Sequence, residues 1–426
     1  MLQCSHTFVL PVWTFAEKGE NVMKYILLLA DGMADEPILT LGNRTPLDFA
    51  ETLNMDELAC RSESGLVKTV PDSMKPGSDV ANLSVLGYDP LKCYSGRSSL
   101  EALSVGVEMR NSDVVYRCNL VTLSENEPYE EKTIIDHSSG EISTEEADVL
   151  MDSIRQAFNN EQFSFYTGTS YREIMVWNKG KTLDLEPPHD HLGCVCGSFL
   201  PHNRMMKDMM KRSFDILNNH PINLKRAAEG KRKANSLWFW GAGTKPSLQN
   251  FAEKTGLKGA MISAVDLLKG IAVGAGMRVI EVPGANGGLH TNYEGKALAA
   301  VNAVLKEDCD FVYLHVEAPD EMGHSGSVPN KIASIENIDS RVLRPILDVM
   351  DASGEPYKLM LLPDHPTPIR CRTHTSDPVP YLIFDSTHQL KKSCRFSEKD
   401  AAASGIYEAD GHLLINKFFD FGGNGK

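Results

Sequence analysis

The segment Lys24-Tyr25-Ile26-Leu27-Leu28-Leu29-Ala30-Asp31-Gly32-Met33-Ala34-Asp35 decides the fold class. Residues 25–30 are apolar without alternation, and an acidic residue with a glycine ends the run. A strand apolar at every position is buried on both faces, which is the habit of parallel sheets covered by helices. Residues 66–70, 237–240, 279–282, 311–316, 359–362 and 381–384 read the same way. Helical patterns lie between many of them. On one helix, Ile335, Ile338, Val342, Ile346 and Val349 recur with a period near 3.6. The expectation is an α/β fold, a mostly parallel sheet covered by helices.

Residues 113–221 break this pattern. Residues 114–123, 132–135, 163–166 and 174–177 look like closely spaced, partly polar strands. Ser143 and Glu146 have the spacing of a capping box opening a helix to Phe158, and a second helix is expected over 205–217. The reading is a smaller α+β domain at 113–221, inserted into a core of 23–112 and 222–426, with hinges near 111–113 and 220–223. Residues 1–22 contain an apolar stretch broken by Pro11 and followed by Glu17, Lys18 and Glu20. They do not make a signal peptide. Met23 is the expected start, and what precedes it is expected to be a poorly ordered tail.

The chain has 426 residues, 43 basic against 57 acidic, for a net charge of −14. That argues against a protein that binds nucleic acid by general phosphate attraction. No run approaches 18 apolar residues, so no membrane span is expected. Nine cysteines are scattered, and Cys194 with Cys196 is the only close pair. Reduced thiols and a cytoplasmic location follow.

Three strong strands run into chemistry-bearing residues. The first ends at Asp31, the second leads to Asp320 and His324, and the third to Asp364 and His365, with His374 beyond. In open α/β sheets, ligands bind outside the carboxyl ends of the strands. Three Asp and three His delivered to one edge suit Zn²⁺ or Mn²⁺ and suffice for two ions. Ser78 follows Gly77 at or near the start of a helical stretch, 79–86, that stops at Gly87. It is either an N-cap or a nucleophile activated by a metal cluster.

Several motifs carry a resemblance. They are Leu29–Asp35, Pro76–Ser84, Gly87-Tyr88-Asp89-Pro90, Tyr94-Ser95-Gly96-Arg97, Val316–His324, Pro363–Pro368 and Thr373–Pro380. Together they resemble the archaeal type of cofactor-independent phosphoglycerate mutases, in the alkaline phosphatase superfamily. The resemblance implies interconversion of 2- and 3-phosphoglycerate through a phosphorylated Ser78, with no bisphosphoglycerate cofactor. It implies two divalent metal ions, one held by Asp31, Ser78, Asp364 and His365, the other by Asp320, His324 and His374. It also implies that the insert closes over a small phosphorylated hydroxy acid. Candidates there are Arg117, Asn119, Asp136 with His137, Arg172, and His189 with Asp190. Arg97, Asp266 and Lys269 are candidates in the core. Among these, Arg172, Asp136 and Lys269 are the expected catalytic partners of Ser78, and Arg97, Arg117, Asn119, His189 and Asp190 the expected substrate contacts. The stretch Asp136–Gly140 is less basic than the resemblance implies. Two alternatives therefore stay open, a homoserine kinase-like phosphotransferase and a metal-dependent phosphohydrolase.

Overall fold

The computed structural model describes residues 22–392 and 394–420, so the N-terminal tail, apart from Val22, lies outside the described residues. Eight strands form the large sheet: β1 (Lys24–Ala30), β2 (Glu63–Val67), β8 (Gly259–Ile262), β9 (Arg278–Val279), β10 (Phe311–Val316), β11 (Tyr357–Leu362), β12 (Val379–Asp385) and β13 (Tyr407–Glu408). Their order is β13-β2-β12-β11-β1-β10-β8-β9. β1 pairs in parallel with both β10 and β11, and only β12 runs against its neighbours.

Why β1 is apolar throughout is now visible. Ile26, Leu28 and Ala30 pack on one face with residues of the helices Tyr293–Lys306 and Val328–Ile338. Leu27 and Leu29 pack on the other with the helices Ser78–Val85 and Asp266–Gly274. A strand covered on both faces has no side on which polar residues can sit.

The second sheet is antiparallel. β3 (Asp113–Leu123) lies between β6 (Arg172–Asn178) and β7 (Ser236–Thr244), β5 (Phe163–Thr169) pairs with β6, and β4 (Ile134–Asp136) pairs with the end of β3. Its core includes residues of the helices Thr144–Phe158 and Arg204–Leu217. One expectation is corrected here. Residues 237–240 read as a strand of the large sheet, with the insert ending at 221. Instead β7 pairs with β3, and Leu237, Trp238 and Phe239 lie in the second core. The smaller unit therefore extends to Thr244. His220 caps the helix Pro221–Ala228, accepting from Ile222 N–H at 3.2 Å. An apolar run announces burial but not which sheet buries it.

Local readings are also adjusted. The helix at the serine motif is Ser78–Val85, so Gly77 is the N-cap and Ser78 its first residue. Ser143 does accept from Glu146 N–H, but the Glu146 carboxylate turns to Arg226 instead of closing the box. The long helix near 335–349 contains a π turn over Asp339–Leu343. It aims the buried Asp339 at the backbone N–H of Met55, 2.7 Å away.

Candidate active site

The carboxyl ends of β1, β10 and β11 lie side by side, and the chemistry collects there. Asp31, Asp364 and His365 form one group whose candidate ligand atoms lie within 4.8 Å of one another; Asp320, His324 and His374 form another. The groups adjoin. The rings of His365 and His374 stack at 3.9 Å, and the Thr367 hydroxyl donates to Asp320 Oδ1 at 2.5 Å. Ser78 Oγ lies 3.1 Å from His365 Nε2. Asn82, one turn along the same helix, donates to Asp364 Oδ2 at 2.7 Å and to the Ser78 carbonyl at 2.8 Å. The serine helix is thus docked on the carboxylate cluster.

Two devices hold these loops. Gly32 has φ +60°, and a Cβ there would stand 2.6 Å from Asp320 Oδ1 and from Thr367 Oγ1. Only glycine meets both requirements. Lys331 is fully buried, and its Nζ donates to Asp35 Oδ2 and the Thr367 carbonyl, each at 2.8 Å. It ties the loop after β1 to the loop after β11.

Sequence reasoning missed His315. It lies inside β10, fully buried, opposite Leu29, with Nε2 2.8 Å from Asp31 Oδ2 and Nδ1 3.0 Å from Ser263 Oγ. A single histidine inside an apolar strand gives no signal until its neighbour strand is known.

The electrostatics call for cations. Burial, then the carboxylates of Asp364 and Asp320, hold Asp31 well above the usual carboxylate range. Burial acts the same way on Asp320, but hydrogen bonds with His324 and His374 outweigh it and bring Asp320 well below that range. The Asp320 partner pushes His324 up to about 9, whereas burial lowers His365. Asp31 Oδ1 is buried with no hydrogen-bond partner. Clustered buried carboxylates with an orphaned oxygen and imidazole nitrogens nearby make a donor set suited to Mn²⁺ or Zn²⁺.

A cleft of about 750 Å³ is lined by residues of both units, among them Arg97, Glu101, Arg117, Arg172, Lys269 and Glu317. Arg117, from β3, is bound through Nε to Glu101 Oε2 at 2.9 Å, and Arg97 Nε reaches Glu101 Oε1 at 3.0 Å. One carboxylate therefore organises two guanidinium groups. Trp240, which nothing in the sequence marked as part of a site, lies under Arg117 with 4.9 Å from guanidinium to ring centroid. Its Nε1 donates to Asn119 Oδ1 at 3.0 Å, and its ring is 5.2 Å from that of His189. Asn119 and His189 so adjoin the arginines through Trp240. Lys269 pairs with Glu281 at 2.8 Å, and Asp266 accepts from Thr169 of the insert at 2.7 Å. Asp136 does not line this cleft. Its carboxylate accepts from the backbone N–H of Ser138 and Gly140 and pairs with Arg232. Asp190 is exposed and pairs with His189 at 3.6 Å.

A family model described as 2,3-bisphosphoglycerate-independent phosphoglycerate mutase matches residues 59–223. A Methanosarcina mazei protein of that name is 49% identical over 367 residues, covering 85% of this chain and 90% of the relative. A Geobacter sulfurreducens protein named as a probable enzyme of that kind is 47% identical, covering 93% of this chain and 100% of its own. The chain belongs to this family of isomerases. Solved structures agree with the membership. A Pyrococcus horikoshii protein superposes with a TM-score of 0.78 at 31% identity, over 95% of this chain and 98% of that one. The cofactor-independent phosphoglycerate mutase of Thermoplasma acidophilum gives 0.62 at 25% identity, over 93% and 99%.

Proposed function

We propose that this phosphoglycerate mutase family member interconverts 2- and 3-phosphoglycerate through a phosphorylated Ser78. Asp31, Ser78, Asp364 and His365 would hold one divalent cation, and Asp320, His324 and His374 the other. Bound there, two such ions neutralise phosphoryl oxygens and favour the ionised serine. The observation that carries the reading is the placement of Ser78, first residue of a helix and 3.1 Å from His365 of one donor group, whose ring stacks at 3.9 Å on His374 of the other.

The residues of the chain do the rest. Ser78 Oγ attacks phosphorus, the Oγ–P bond forms, and the bond to the glycerate oxygen breaks. The serine proton ends on that departing oxygen. The helix N-terminus beneath Ser78 favours the phosphoryl charge. Arg97 and Arg117, fixed on Glu101, with Arg172 from the adjacent strand β6, grip the glycerate anion while it turns. The second hydroxyl then takes the phosphoryl group from Ser78. Closure of the insert keeps water from the phosphoserine, which separates a mutase from a hydrolase.

Ser78→Ala tests this directly. The variant is expected to fold and to lose nearly all isomerisation. Incubation of the unsubstituted enzyme with 3-phosphoglycerate should add a phosphoryl group to the peptide containing Ser78, seen by mass spectrometry. Retained turnover in Ser78→Ala, or phosphate release faster than isomerisation, overturns the reading.

A further inference from the structure

The cleft that receives the anion contains a carboxylate that its cations do not use. Glu317 directly follows β10 and is the N-cap residue of the helix Ala318–Ser325, which carries Asp320 and His324. Its side chain lines the same cavity as Arg97, Arg117, Arg172 and Lys269. The other acidic groups of that cavity are committed or peripheral. Glu101 is shared by two arginines, Asp266 accepts from Thr169, and Glu321 is exposed. Among the described residues none forms a hydrogen bond with the Glu317 carboxylate, although the residue is half-buried. Its charge is felt by Asp31, opposed by those of Glu321 and Asp320, and favoured by those of Lys296 and Arg97. Through its helix it adjoins the candidate metal centre, and through the cavity it adjoins the anion grips.

The backbone makes room for it. A Cβ on Gly287 would lie 2.2 Å from Glu317 Oε2 and 2.8 Å from its Cδ. Gly287 and Gly288 both line the cavity. The glycine backbone and the carboxylate are in close contact, so the carboxylate is seated and any side chain at 287 would displace it.

A carboxylate in an anion-binding cleft repels the substrate's phosphate and carboxylate. It is useful only to a part of the ligand that donates a hydrogen bond. An ionised phosphoglycerate has one such group, its free hydroxyl. We propose that Glu317 accepts a hydrogen bond from that hydroxyl, holds the glycerate oxygen that is to receive the phosphoryl group, and thereby selects hydroxy-acid phosphates. This rests on the mutase reading above. A site built to bond a hydroxyl discriminates strongly against ligands that lack it, because its buried acceptor is then left unpaired.

The test compares two reactions in Glu317→Ala, Glu317→Gln and Gly287→Ala. One is isomerisation of 3-phosphoglycerate. The other is phosphorylation of Ser78 by 2-phospholactate, a phosphoester without the second hydroxyl, followed by quenched-flow mass spectrometry. In Glu317→Ala, kcat/KM for isomerisation should fall about 10²-fold relative to the phospholactate reaction. Glu317→Gln keeps an acceptor oxygen and should recover part of that ratio. Gly287→Ala moves the carboxylate without changing its charge and should lower the ratio too. If both reactions fall together, Glu317 serves the metal centre and the proposal is wrong. If neither changes, it is wrong as well. Absence of phosphoserine in the unsubstituted enzyme with either ester sinks the mutase reading itself, and the role of Glu317 with it.

Discussion

Asp31 and Gly32 show how much one position carries. Asp31 closes β1 and brings a buried carboxylate to the cluster, and Gly32 turns the chain where no Cβ fits. Gly32→Ala is expected to cost about 2–4 kcal/mol, from the left-handed backbone and the displacement of Asp320 and Thr367. Urea denaturation should report the loss, and activity should fall with it. An unchanged midpoint would mean that this loop relaxes freely. Asp31, Asp320, Asp364 and the histidines near them were readable because each follows a strong strand. His315, Trp240 and Glu317 were not. A histidine inside β10, a tryptophan in an apolar run and a glutamate before a helix are all ordinary until the fold gives them neighbours.

At the scale of elements, β6 offers a titration that can be followed without substrate. Glu173 is fully buried there; Oε2 accepts from Gly168 N–H at 2.8 Å, and Oε1 has no partner. Burial pushes its carboxyl up from 4.5 to about 8, with Asp148 adding to the rise, while the Gly168 N–H, Arg155 and Arg172 oppose it. Between those values the folded protein binds a proton that the unfolded chain has released. The associated stability is fully present below about pH 4.5 and is lost as pH rises through about 8. Glu173→Gln should flatten this dependence, so that urea midpoints at pH 5.5 and 8.5 converge relative to the unsubstituted protein. Parallel profiles would show that Glu173 ionises normally. The helices bracketing this sheet were legible from period and caps. The turn of Glu146 toward Arg226 and the π turn at Asp339 were not, because each answers a partner distant in sequence.

The whole molecule joins two sheets around one cleft, and its stability should depend on the ions proposed for its edge. Without them, the buried carboxylates of Asp31, Asp320 and Asp364 crowd one another. Chelation should lower the thermal midpoint. Added Mn²⁺ or Zn²⁺ should restore it, with a shift that grows with the logarithm of free metal. A midpoint indifferent to chelator and metal alike would remove the two-ion proposal while leaving the fold intact.

Sequence alone determined the covered parallel sheet, the strand ends that bear Asp and His, and the family motifs around Ser78. Burial on both faces imposes an unbroken apolar run, and turns after strands leave polar residues exposed in the chain pattern. Only the tertiary structure assigned β7 to the smaller sheet, set His315 against Asp31, and seated Glu317 against Gly287. Those facts depend on contacts between segments far apart in the chain, and no local periodicity encodes which partner a buried surface will meet.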